Sequence, residues 1–205
     1  MLKNLTGEKT DQEDAWKSVY LNYIETNTQI EDPEKGTHRE IYKLLDLNED
    51  GVPELYINFG STAGGDAILS YFNGEIVEQK MDNYGFRYIE GANLFRDSGG
   101  HMDEYYDKIY TLENGNFVLL YSGEYGAEDN SKVEYGDDGM PVYQYFWENE
   151  EVSSEEEYDR KLNEVYDTEK EVNIFLDAQY DSGRGRYVGN GLCDYQEITE
   201  AIEAY

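Results

Sequence analysis

The strongest constraint on the fold is a turn device that recurs along the middle of the chain. In "AILSYFNGEIVEQ" the pair Asn73-Gly74 separates two alternating runs. "KIYTLENGNFVLLYSG" repeats the device at Asn114-Gly115. "KVEYGDDGMPVYQYFWENEEV" carries Asp138-Gly139 and a further turn at "ENEE". Two-residue hairpin turns need positive φ at their centre, which Gly, Asn and Asp adopt most readily. Alternation on either side gives strands with one face turned inward. The spacing predicts an antiparallel β-meander of hairpins, without the strict repeat that a propeller requires.

Helical periodicity falls elsewhere. "TDQEDAWKSVYLNYIET" has capping-box spacing at Thr10 and Glu13, and Trp16, Tyr20, Tyr23 and Ile24 share one face. "SSEEEYDRKLNEVY" repeats the box at Ser154 and Glu157, with Tyr158, Leu162, Val165 and Tyr166 on its apolar side. "DYQEITEAIEAY" takes Asp194 as N-cap and Ile198, Ala201, Ile202 and Tyr205 as its buried side. "IYKLLDL" and "ELYINFG" read as strands, and "EDPEKGTHRE" and "DSGRGRYVGNG" as loops, the latter flexible. The expectation is one α+β domain over residues 1–205, residues 1–10 flexible, with N- and C-terminal helices packed on the meander.

A core is affordable despite the polarity. Hydrophobic residues make up 39% of the chain, and 21 Tyr and 7 Phe supply large buried areas that an acidic disordered tail would lack. Lys plus Arg number 16 against 46 Asp plus Glu, a formal charge of -30. Such a field repels nucleic-acid phosphates and attracts cations and basic proteins. The plainer alternative is that it serves solubility. Cys193 is the sole cysteine, which rules out an internal disulfide and a Cys-based zinc site and reads as a buried structural thiol. There is no apolar run long enough to span a membrane, and "MLKNLTGEKTDQED" has no apolar h-region.

"DLNEDGVPELYI", residues 46–57, is the stretch with the most chemistry. Calcium wants six to eight oxygens in one small sphere, and a short loop delivers them when alternate side chains turn inward. Asp46, Asn48 and Asp50 stand at loop positions one, three and five, Gly51 permits the turn, Val52 offers its carbonyl, and Glu54 binds directly or through water. Ile57 stands where an EF-hand places its bidentate glutamate, and the flanks are strands. The loop resembles the strand-loop-strand calcium loop of FG-GAP and VCBS β-propeller repeats. The ligand set that this implies is Asp46, Asn48, Asp50, Val52 and Glu54. The competing reading is an ordinary polar turn between two strands.

Other candidates carry less. "GSTAGGDA" lacks the Gly-Lys-Ser/Thr of a phosphate loop, although Asp66 is near enough in sequence to add an oxygen to the cation site. His101 beside Asp103 and Glu104 could form an acid-base pair or a metal site, but an exposed polar loop is the favoured reading. His38 lies in a charged loop and carries less signal still. Arg184 and Arg186 are expected to pair with nearby acids. Tyr143, Tyr145 and Trp147 alternate onto one strand face, either a sugar-stacking surface or, as favoured, core.

From about Trp16 to about Tyr166 the order of features resembles a group of uncharacterised secreted or lipid-anchored proteins of anaerobic Gram-positive bacteria. The shared features are the Trp-containing helix, "LLDLNEDGVPELYI", "YFNGEIV", "YIEGANLFRDSGGHMDEYYDKIYTLENGNF" and "YFWENEEVSSEEEYDRKLNEVY". That resemblance implies a location outside the cytoplasm or at the cell surface. A native gene without a leader would imply the cytoplasm. It supplies no catalytic or cofactor-binding residues. The expected function is a non-enzymatic, calcium-stabilised binding or structural domain for a glycan, peptide or protein. The alternative is an acidic inhibitor or immunity protein that masks a basic surface by mimicking nucleic acid.

Overall fold

The alternating runs form two antiparallel sheets rather than one. The computed structural model of the protein describes residues 14–27, 30–32, 37–38, 40–60, 64–81, 86–175 and 178–205. Helix α1 (Ala15–Asn27) is followed by a small ribbon of β1 (Ile30–Asp32) and β2 (Thr37–His38). The first sheet consists of β3 (Ile41–Leu45), β4 (Glu54–Asn58), β5 (Asp66–Phe72) and β6 (Glu75–Met81), in that order. The second contains β7 (Phe86–Ile89), β8 (Leu94–His101), β9 (Glu104–Glu113), β10 (Asn116–Gly126), β11 (Gln144–Trp147) and β12 (Glu150–Val152). Helix α2 (Glu155–Val165) and β13 (Val172–Asn173) come next, and β13 returns to pair with β7 at the far edge. A ribbon of β14 (Gln179–Asp181) and β15 (Arg186–Val188) leads to α3 (Tyr195–Ala204). The fold is α+β, and both main sheets are meanders.

Side-chain alternation places three cores between four layers. Ile41, Tyr56 and Ile68 of the first sheet meet Phe86, Phe95 and Tyr110 of the second. On the outer face of the first sheet, Leu55, Ile57 and Leu69 are covered by Trp16, Tyr20 and Ile24 of α1 and by Ile198 and Ile202 of α3. On the outer face of the second, Ile109 and Trp147 pack against Tyr158 and Leu162 of α2. Trp147 therefore belongs to the core, and Tyr145 packs partly buried against it. The tyrosine rings beside it stack on one another, Tyr105 on Tyr125 at 5.1 Å and Tyr125 on Tyr145 at 5.7 Å. Their π-faces are therefore largely occupied by one another.

The turns follow their chemistry. Asn73 and Gly74 have φ of 52° and 91°, and Asn114 and Gly115 have 49° and 72°, the left-handed pairs of two-residue hairpins. The "ENEE" turn is made by Glu148 and Asn149, both at positive φ. Asp138-Gly139 makes a turn but no ladder, and only an isolated bridge joins Tyr135 to Pro141. That bridge is held by Gly136 N donating to Met140 O and Val142 N donating to Glu134 O, both at 2.8 Å. The helix caps hold as well. Asp194 and Glu197 form a full capping box, whereas Ser154 caps Glu157 and the Glu157 carboxylate turns to Ser153 instead. Thr10, Glu13 and residues 1–10, the stretch expected to be flexible, lie outside the described residues.

The segment expected as a flexible loop, residues 181–191, contains β15 and part of β14 instead. Arg186, 7% exposed, pins that ribbon to the start of α3 through Asp194 at 3.1 Å and Glu197 at 2.7 Å. Arg184 reaches Glu197 at 3.2 Å. Both arginines pair with acids, as the sequence suggested. A further network escaped the sequence altogether. Under α2, Arg96 bridges Asp107 at 3.4 Å and Glu171 at 2.7 Å, and the Tyr158 hydroxyl donates to Asp107 at 2.7 Å. No local spacing signals it, because its members come from β8, β9, α2 and the turn before β13.

Candidate functional site

The loop between β3 and β4 begins where the ladder ends, at the pair Leu45 and Glu54. Its polar side chains fold inward onto their own backbone. The Asp46 carboxylate accepts from Asp50 N at 3.1 Å and from Gly51 N at 3.1 Å. Asn48 Oδ1 accepts from Asp50 N at 3.2 Å, and Asp50 Oδ1 accepts from Val52 N at 2.8 Å. Asn48 Nδ2 donates to Asp50 Oδ2 at 2.9 Å. Positive φ at Glu49 (57°) and Gly51 (83°) closes the turn. Asp46, Asn48 and Asp50 are thus brought together around a single set of amides.

Glu54 sits deeper. It is 2% exposed and accepts from Leu47 N at 3.0 Å. Burial pushes its carboxyl up to about 8, the nearby Asp50 and Asp46 charges push the same way, and the Leu47 amide opposes them. The hydroxyls of Tyr20 and Tyr205 are also pushed up, by burial first and then by the negative charge of this loop. The loop therefore gathers acids at the margin of the α1/α3 layer, with only Glu54 buried among them.

The loop is fixed at its other flank. Leu47 is buried in the core between the sheets, and its carbonyl accepts from Asn93 N at 3.0 Å, across from the second sheet. Asn93 in turn brackets Leu112 through its side-chain amide. The loop is thereby tied to both sheets.

The fit to calcium is partial. Among the described residues no three His, Cys, Asp or Glu side chains converge at metal-holding distance, and this includes Asp46, Asp50 and Glu54. Each bonded carboxylate oxygen retains a second lone pair, and closing the site requires the Glu54 carboxyl to ionise and turn toward the two aspartates. Asp66 is not part of this cluster. It lies buried beside Asn58, whose Nδ2 donates to it at 2.6 Å, and burial pushes its carboxyl up to about 6. His101 ends β8 on the surface rather than in a loop, and its neighbours are engaged elsewhere, Asp103 with Tyr143 and Glu104 with Asn130. Cys193 is half-buried, its backbone bridged to Tyr42.

No family model matches the chain, and no curated protein or solved structure resembles it at a significant level. No helix among the described residues is long and apolar enough to cross a membrane.

Proposed function

We propose that this protein is a calcium-stabilised binding or structural domain that works outside the cytoplasm, with Asp46, Asn48, Asp50, the Val52 carbonyl and Glu54 as the metal ligands. The observation that carries this reading is Glu54, a carboxylate almost wholly buried beside two aspartates, with its proton affinity raised accordingly. A divalent cation would offset both the burial and the mutual repulsion of the three acids. Strand flanks, the glycine at the turn and the inward side chains of Asp46, Asn48 and Asp50 support the same assignment. The location rests only on the order of sequence features between about Trp16 and about Tyr166, which resembles that of secreted and lipid-anchored proteins.

The test is a set of melting curves in calcium, in magnesium and in chelator, for wild type and Asp46→Ala. Calcium raises the melting temperature, magnesium does less because it demands a tight octahedral shell, and Asp46→Ala loses the response while remaining folded. At a calcium concentration of a hundred times Kd the gain is about 2.7 kcal/mol. Identical wild-type curves in calcium and chelator would reduce the loop to a polar turn.

A further inference from the structure

The second sheet extends past the area that the first sheet covers. The inter-sheet core uses Phe86, Phe95 and Tyr110 from β7, β8 and β9. Tyr106 shares a strand face with Tyr110, and Glu124 and Phe146 lie directly across from it in register, so the same face continues over β10 and β11. A cleft of about 560 Å³ opens there.

Its construction is specific. Gly100 and Gly126 line it, and a Cβ on either would stand 2.2 Å from a backbone oxygen, Glu104 O or Asp103 O. Both glycines therefore mark close approaches of backbone at the cleft's edge, and the cleft itself lies beside the rings of Tyr106 and Phe146. The Tyr106 hydroxyl donates to Asp97 at 3.3 Å, and the Lys108 ammonium lies 4.7 Å from the Tyr106 ring centroid, so this ring is held and covered by the protein's own groups, which leaves Phe146 as the open aromatic wall. Glu104, Glu124 and Glu128 rim the cleft, and His101 is its one basic lining residue. The Glu104 side chain is held by Asn130, whereas the side chains of Glu124 and Glu128 have no hydrogen-bond or ion-pair partner among the described residues. An adjoining hollow of about 480 Å³ shares Glu128 and Gln144 and adds Asp129 and Glu134 alongside Lys132.

We infer that this cleft binds an arginine side chain of a basic peptide segment, the guanidinium lying against Phe146 and paired with Glu124. Aromatic faces and carboxylates together suit a planar, weakly hydrated cation that stacks and forks its donors. The negative rim fits such an occupant by charge, and the second hollow gives the flanking residues of the segment a continuation. The inference rests on the reading of the protein as a binding domain and is independent of the metal loop, which involves none of these residues.

The experiment is fluorescence anisotropy with a labelled hexapeptide of alternating arginine and glycine, at about 0.15 M salt and with calcium present. The proteins are wild type, Glu124→Gln, Phe146→Leu and, as a charge-matched control, Glu203→Gln on the exposed side of α3. The cleft binds the peptide, Glu124→Gln weakens binding about fivefold to tenfold, Phe146→Leu weakens it as well, and Glu203→Gln leaves it within about twofold. Equal losses for Glu124→Gln and Glu203→Gln would mean attraction to the overall charge and overturn the site. Absence of binding would overturn it too. So would displacement of the peptide by an uncharged hexasaccharide with Glu124→Gln silent, which would mark a glycan cleft. A normal calcium response with no peptide binding removes this inference alone, and peptide binding without a calcium response removes the metal loop alone.

Discussion

Glu54→Gln separates the buried acid from the rest of an acidic protein. The Glu54 carboxyl stands at about 8 in the folded chain against an ordinary value of 4.5. A carboxyl with a raised folded value favours the folded state when protonated. Stability is therefore full below about pH 4.5 and is lost as pH rises toward 8. Each pH unit inside that window is worth about 1.4 kcal/mol, so moving from pH 5.5 to pH 7.5 costs about 3 kcal/mol through this one group. Glutamine keeps an acceptor for Leu47 N and has no proton to lose. The assay is urea denaturation at several pH values, in chelator, for both proteins. The difference between their profiles isolates Glu54, because the other acids, Asp66 included, contribute equally to each. Wild type converges on the variant toward acid pH and falls below it by about 4 kcal/mol at pH 7.5, three pH units above the ordinary value, and in wild type calcium then restores stability at neutral pH. Parallel profiles in chelator would show Glu54 to be an ordinary ionised surface acid and remove the basis for the metal reading.

Two further outcomes test the packing. Trp16 is 2% exposed and meets Tyr20 and Tyr205 edge-on, so Trp16→Ala should cost about 3–5 kcal/mol in urea unfolding, and in a Trp147→Phe background its fluorescence should resist iodide. Free quenching there contradicts the covering of the first sheet by α1. Tyr158→Phe keeps the ring contacts with Trp147 and Tyr125 but removes the hydroxyl from Asp107, and should cost about 1–3 kcal/mol, so an unchanged unfolding midpoint would show that the buried network is dispensable.

Local chemistry was legible in the sequence wherever it is self-contained. The helix faces of Trp16 and Ile198, the cap at Asp194 and the Asn-Gly turns all follow from spacings of a few residues. The division into two sheets did not follow, because alternation tells which side chains share a face but not which strands continue one ladder. The polar loop expected around His101 and Asp103 is a tight two-residue turn at Met102-Asp103, and its tightness could not be read. The turn adopts left-handed geometry without a glycine or asparagine to announce it, with φ of 53° and 63°. At the candidate site, the choice of Asp46, Asn48 and Asp50 could be read directly, and their side chains do converge on one turn. The depth of Glu54 could not be read, since it depends on where α1 and α3 come to rest.

The return of β13 to β7 has a cost that the other ladders avoid. Most strands pair with a sequence neighbour through a turn of a few residues, whereas Val172 meets Tyr88 across roughly eighty residues of chain. Closing a loop twenty times longer than a hairpin turn takes about 2.5 kcal/mol more chain entropy. Two residue pairs of backbone are too few to repay it. What holds this edge is side chain: Ile174, with no exposed surface, inserted between the sheets, and Glu171 clasped by Arg96 at 2.7 Å and Arg87 at 3.7 Å. The outermost strand of the larger sheet is thus retained by an anchor and a clasp on either side of it, and its ladder records the position rather than creating it.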